Sequence, residues 1–250
     1  MRGFDVSSPP SLWQAQHRWD GYPPLEGSVA ADVVVVGAGF TGCACALRLA
    51  SGGAAVVVLD AAEVAAGASG RNGGFASAGT GLGLADAAAL IGMPAALALH
   101  RATDAALDEM LTLAAGRGDH DAIERTGSLW IAAADEADDL RAALAGLRNA
   151  GVDCRAAADL VPAPMRARYA YAALFPRDCR IDPARFVRAL ARTATAAGAR
   201  IHEGSPVSAI EPGPGGWRVR TPAGDVRARA VVVACDGRVP RLVPELAGIV

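Results

Sequence analysis

The chain has 250 residues, 52% of them apolar, enough for one large domain or two small ones with a proper core. A formal net charge of −2 supplies neither the basic excess that would draw nucleic acid nor an acidic tail. All 24 basic residues are arginine, which excludes a Walker-type phosphate loop and a lysine Schiff base, because both need the lysine ammonium.

In chain order, residues 1–30 are rich in proline and aromatics and are expected to form an extended segment against a folded body. They carry no apolar core or small-residue cleavage site of a signal peptide. No apolar run reaches the roughly 18 residues of a membrane span. With neither, the chain reads as cytoplasmic, and the five cysteines, scattered and odd in number, argue against a disulfide framework. Cys43 and Cys45 sit two apart on a predicted helix, point in different directions, and read as small apolar side chains rather than metal ligands. His120, in "GDHDA", reads as part of a solvated turn.

Asp32–Val36 is a β-branched run ending at glycine, as in a buried parallel strand. Phe40–Ser51 is predicted helical and stops at Gly52-Gly53, and Ala54–Asp60 is a second buried strand. This order makes a βαβ unit with a right-handed crossover. Between strand and helix stands G-x-G-x-x-G. Gly37 permits a tight turn, Gly39 a close approach to a pyrophosphate, and Gly42 close packing of helix on strand. The helix N-terminus offers unpaired N–H groups to the phosphates, and Asp60 stands where a carboxylate accepts from ribose hydroxyls. A dinucleotide is the predicted ligand; a tight turn without any ligand explains the glycines alone.

"AAEVAAGASGRNGGFASAG", Ala61 to Gly79, is too rich in glycine for helix or strand and reads as a ligand-contacting loop. The motif ADVVVVGAGFTG, then Asp60, then GASGRNGG resembles the D-amino-acid-oxidase-like family of FAD-dependent oxidoreductases. Within it, the chain resembles the branch of gamma-glutamylputrescine oxidase and its glycine- and sarcosine-oxidase relatives, as do "SLWQAQ…YPPLEGSVAADVVVVG" and "VVVACDGRVPRLVPEL". The resemblance implies an α/β fold, with a Rossmann-like FAD-binding domain and an inserted α+β substrate domain. It implies FAD contacts from Gly37, Ala38, Gly39, Phe40, Thr41, Gly42, Asp60 and Ala61. Ser69, Arg71, Asn72, Gly73, Gly74, Val207, Ala234 and Gly237 complete that set. A phosphate or backbone contact is the plainer reading of Arg71, and an ordinary strand that of Val207.

Asp86–Gly116 is predicted mostly helical with a break at Met93-Pro94, followed by a strand over Gly127–Ala133 and an amphipathic helix over Asp135–Gly151. In relatives such elements begin the substrate domain; a plain helical subdomain fits the composition equally well. Trp130 and Tyr169 are cavity candidates, with a core or surface role the simpler alternative. Asp182-Pro183 opens a helix that Gly198 stops, Ile201–Ile210 is extended, and "GWRVRTPAGDVRARAVVVAC" is a hairpin running into a buried strand. Ala234, Asp236 and Gly237 take the place of the family's second dinucleotide-side turn, from which Cys235 and Asp236 depart.

The expected domains are an N-terminal segment (1–30), FAD-binding parts at 31–85 and 181–250, and the start of a substrate domain at 86–180. No C-terminal glycine-rich segment of the kind that closes over the flavin is found, so the chain reads as the front portion of the family fold, with a natural short form as the alternative. The resemblance implies oxidation of an amine or amino acid by hydride transfer to flavin, with oxygen as acceptor and hydrogen peroxide as product. No catalytic side chain is assigned. Two alternatives stay open: an NAD(P)-dependent dehydrogenase on the same βαβ start, and a module that binds its dinucleotide or a partner without turnover.

Overall fold

The structure is a computed structural model describing residues 9–116 and 120–248. The outermost parts of the expected terminal segments, residues 1–8 and 249–250, lie outside it. The chain divides into two compact units, one of Met1–Gly73 with Asp182–Val250 and one of Gly74–Ile181. The sequence reading placed these boundaries after residues 85 and 180.

The discontinuous unit is built on a six-stranded sheet. Its elements are helix α1 (Leu12–Ala15), strand β1 (Gly27–Val36), helix α2 (Phe40–Ser51) and strand β2 (Val56–Leu59). The second unit supplies strand β3 (Phe75–Ala76), helices α3 (Leu84–Ile91) and α4 (Met93–Gly116), and strands β4 (Ile123–Arg125) and β5 (Ser128–Ala132). It continues with helix α5 (Ala137–Asn149) and strands β6 (Arg155–Ala156), β7 (Tyr171–Phe175) and β8 (Cys179–Ile181). The chain then returns to the first unit as helix α6 (Pro183–Ala196) and strands β9 (Arg200–His202), β10 (Ala209–Gly213), β11 (Gly216–Thr221) and β12 (Gly224–Val233).

The large sheet runs β10-β11-β12-β1-β2-β9, with β12, β1, β2 and β9 parallel and β10–β11–β12 an antiparallel meander. Val33–Val36 pairs on both sides, with Val56–Leu59 and with Ala230–Val233, which is why it is so uniformly apolar. β1 begins earlier than the predicted Asp32. Gly27–Ala31 pairs only with Gly224–Ala228 and is largely exposed, so its composition does not announce a strand. Leu12–Ala15 corrects the expectation of a wholly extended N-terminal segment. Ile201–Ile210 is likewise not one extended stretch: β9 ends at His202, and a turn containing buried Glu203 and Ser205 precedes β10.

α2 and α6 pack together, with Phe40 and Phe186 stacked at 6.0 Å between ring centres. Gly42, Cys43, Ala46 and Ala50 form the buried face of α2. Asp182 caps α6 by accepting the Arg185 N–H at 3.0 Å, and Pro183 follows at a first-turn position where its missing N–H costs nothing.

The second unit holds two three-stranded antiparallel sheets, β3-β8-β4 and β5-β7-β6. Gly92, at φ 83°, separates α3 from α4 one residue before Met93-Pro94, at the predicted break. Leu144 of α5 packs with Cys154, Ala173 and Phe175. Among the described residues no helix is long and apolar enough to cross a membrane.

Candidate functional site

The glycine turn joins β1 to α2. Gly37, at φ 108°, donates its N–H to Leu59 O at 2.8 Å, and a Cβ there would lie 2.3 Å from Ala234 O. A Cβ on Gly42 would lie 1.8 Å from Gly37 O. Packing alone therefore demands glycine at both positions. Gly39 differs, because a Cβ there meets only the Ser69 side chain, with Oγ at 2.6 Å.

Ser69 reaches this turn from the GASGRNGG loop, and its Oγ accepts the Phe40 N–H at 3.1 Å. Asp60 Oδ2 accepts the Ala38 N–H at 2.6 Å and Oδ1 accepts the Ala62 N–H at 2.9 Å. The Cys43 N–H turns back to Gly39 O at 3.0 Å. What remains is the first turn of α2, where the Thr41 and Gly42 N–H groups have no acceptor among the described residues. Donors left open at the positive end of a helix dipole form a site for a phosphate-sized anion. The cradle thus fits a dinucleotide: glycine-lined backbone, open amides, and a carboxylate at the end of the second strand.

Burial pushes the Asp60 carboxyl above its ordinary range, and the negative charge of Glu203 adds to that. The Ala38 and Ala62 N–H groups and Arg238 act in the opposite sense. Cys43, in the helix face beneath the turn, is pushed up to about 12 by burial and then by Asp60 and Glu203, so it stays a neutral thiol.

Gly37, Ala38, Gly39, Phe40, Thr41, Gly42, Asp60, Ser69 and Ala234 therefore meet around the N-terminus of α2. Ala234 arrives from the end of β12, its N–H on Val36 O at 2.8 Å. Ala61 follows Asp60 and is exposed, and Gly237 is exposed in the 3₁₀ turn Asp236–Arg241. Val207 packs against the apolar cluster of Val34, Val36, Val57 and Leu59. Arg71 braces backbone, with Nε on Ala66 O and Nη1 on Pro9 O, both at 2.9 Å. The Asn72 amide nitrogen likewise folds onto Ala68 O and Ser69 O. Gly73 ends the first unit and Gly74 begins the second, where its carbonyl accepts the Ile181 N–H. In that unit a cavity of about 450 Å³ is lined by residues including His100, Asp104, Val152 and Phe175, with neither Trp130 nor Tyr169 in its wall. Trp130 is 52% exposed and packs on Phe175, a surface role.

Sequence reasoning passed over Glu203, which is buried and accepts from Trp19 Nε1 (2.7 Å), the Tyr22 N–H (2.8 Å) and the Val64 N–H (2.6 Å). It also passed over buried Arg188, which lies over the Trp19 ring and donates to His17 O. A readable signal was present in Ser11-Leu-Trp-Gln14, the S-x-x-Q pattern of a capping box.

Residues 32–250 match the family model DAO, described as FAD dependent oxidoreductase. A probable oxidoreductase, OrdL, from Rhizobium meliloti is 29% identical over 231 residues, covering 89% of this chain and 53% of that protein. The gamma-glutamylputrescine oxidoreductase of Escherichia coli is 48% identical over 58 residues, covering 23% of this chain and 14% of its own. Among solved structures, glycine oxidase from Geobacillus kaustophilus superposes with a TM-score of 0.74 at 26% identity, over 87% of this chain and 58% of its own. The chain thus spans about half the length of the OrdL relative that it matches across most of its own residues.

Proposed function

The chain belongs to the DAO family of FAD-dependent oxidoreductases, and from that premise we propose that its glycine turn and GASGRNGG loop hold FAD for the oxidation of a primary or secondary amine or amino acid. The family's dependence on FAD removes the NAD(P) alternative. One observation carries the assignment of the site: the open Thr41 and Gly42 amides at the head of α2, flanked by Asp60 and Ser69. The flavin would supply the chemistry, accepting a hydride from the substrate carbon and passing the electrons to oxygen to give hydrogen peroxide.

The protein's own part is placement. The first-turn amides of α2 neutralise pyrophosphate charge, and glycine at 39 admits the phosphates close to the backbone. Asp60, oriented by two backbone N–H groups, is positioned to receive ribose hydroxyls. Ala234 backs the turn at Gly37, and Val207 and Gly237 would complete the cofactor contacts from the segments beyond it. The amine or amino-acid class rests on the gamma-glutamylputrescine oxidoreductase and glycine oxidase relatives. A cytoplasmic setting accords with five free cysteines.

The test is an absorption spectrum of the purified chain, then acid release and identification of the nucleotide. A yellow protein releasing FAD supports the site, and peroxide production with small amines then tests the reaction. FAD bound without peroxide from any amine would make this chain a cofactor-binding module. A chain that takes up no FAD would overturn the site assignment.

A further inference from the structure

Helix α1 has four residues, too few to hold itself in water. Both halves of a capping box close it: the Gln14 N–H donates to Ser11 Oγ at 3.2 Å and the Ser11 N–H donates to Gln14 Oε1 at 2.8 Å. With its oxygen so engaged, the Gln14 amide nitrogen donates to Ala65 O at 2.8 Å and Ala66 O at 3.2 Å. A flipped amide would set oxygen against two carbonyl oxygens, so the network fixes its orientation. Ser11 Oγ also donates to Gly70 O at 2.6 Å, and Trp13 Nε1 donates to Asn72 O at 2.9 Å. In return Arg71 Nη1 reaches Pro9 O.

The loop held in this way is strained. Ala65 stands at φ 63°, a left-handed conformation that a side chain disfavours and that persists only where its surroundings impose it. Its N–H donates to Ala38 O, inside the glycine turn, while its carbonyl takes the Gln14 amide. Gly70 is wedged behind it, where a Cβ would lie 2.1 Å from Ala65 O and 3.0 Å from Gln14 Nε2. One face of the loop is thus tied to the turn through Ala65 and Ser69, and the other to the N-terminal segment through Gln14, Ser11 and Trp13.

We propose that Ser11, Trp13 and Gln14 are positioning residues for FAD, clamping residues 65–72 against the glycine turn so that the cofactor meets a preformed cradle. The inference rests on the FAD site proposed above. It is separable from folding, because the same segment is anchored independently farther along. Trp19 and Tyr22 are held by Glu203, and Leu25 is 1% exposed with its N–H on Ser205 Oγ. Losing the Gln14 contacts releases the loop without detaching residues 19–25.

The experiment compares wild type, Gln14→Leu and Trp13→Phe in the full 250-residue chain. Three quantities are read: FAD dissociation constant by flavin fluorescence quenching, apo-protein melting, and amide hydrogen exchange. Gln14→Leu is expected to weaken FAD binding about tenfold and Trp13→Phe roughly threefold. Exchange should accelerate at residues 65–72 while β1 and β2 keep their protection and the apo melting point moves by less than about 4 °C. Wild-type affinity in both variants, in a wild type that binds FAD, overturns the clamp alone. So does an affinity loss matched by equal loss of protection in β1 and β2, since that is a folding defect. If the wild-type chain takes up no FAD, the site assignment falls and the clamp falls with it.

Discussion

Asp60 and Ala38 are joined by a 2.6 Å hydrogen bond in which the carboxylate at the end of β2 takes the N–H of the turn leaving β1. The same side chain orders its own following residues through Ala62. It is a strut of the turn, and in the proposed site it is also the acceptor for a ribose.

This double role has a pH signature. Burial holds the Asp60 carboxyl above the value it has unfolded, so the folded chain keeps its proton more firmly. The contribution is fully present below the ordinary carboxylate range and is lost as pH rises from there through the raised value. Urea unfolding of apo wild type and Asp60→Asn across that window should show wild type losing stability relative to the variant as pH increases. A constant difference between the two would contradict it.

The turn's glycines should separate by mechanism. Gly42→Ala sets a methyl 1.8 Å from Gly37 O, a backbone atom, and is expected to destabilise by about 3 kcal/mol. Gly39→Ala meets only the movable Ser69 side chain and should cost about 1 kcal/mol while weakening FAD binding roughly tenfold. Chemical denaturation paired with flavin titration distinguishes the two, and equal fold defects would defeat the distinction.

Glu203→Ala leaves the Val64 N–H, the Tyr22 N–H and the Trp19 indole without their acceptor and strips buried Arg188 of a nearby negative charge. A loss of about 3 kcal/mol is expected. Red-shifted tryptophan emission should accompany it as Trp19 is freed, and an unchanged spectrum would argue against the anchor.

Ala65→Gly relieves a left-handed conformation at the cost of a more flexible unfolded chain. The net gain expected is about 0.5 kcal/mol. A destabilisation measured by urea titration would mean that the Ala65 methyl contributes more by packing than its backbone loses.

Much of the discontinuous unit was legible because its signals are local. Helix Phe40–Ser51 is bounded by glycines on both sides, and α6 opens at Asp182-Pro183 with the cap that pair announces. The four-valine run is apolar because it is enclosed by strands on both edges. What the sequence concealed depends on partners far along the chain. Gly27–Ala31 becomes strand only because Gly224–Ala228 lies beside it. Asp182 reads as a cap, yet it also holds His17, 165 residues away, at 2.9 Å. Glu203 looks like a solvated loop acid until the N-terminal segment folds over it. Within the site, Gly37, Gly39, Gly42 and Asp60 converge as their spacing suggests, and Ser69 joins them from a loop whose path the spacing does not give. The backbone-bracing of Arg71 and Asn72 depends on a loop path that no periodicity encodes.

The pairing of β1 with β12 sets an order of events during synthesis. Val36 leaves the ribosome long before its neighbour Val233, and at 5–20 residues per second the interval is about 10–40 s. Throughout it the valine-rich edge of β1 has no partner on one side, a template for pairing with other nascent chains. For this protein the vulnerable period for aggregation is therefore translation itself, and slower elongation between residues 60 and 220 should lower the soluble yield.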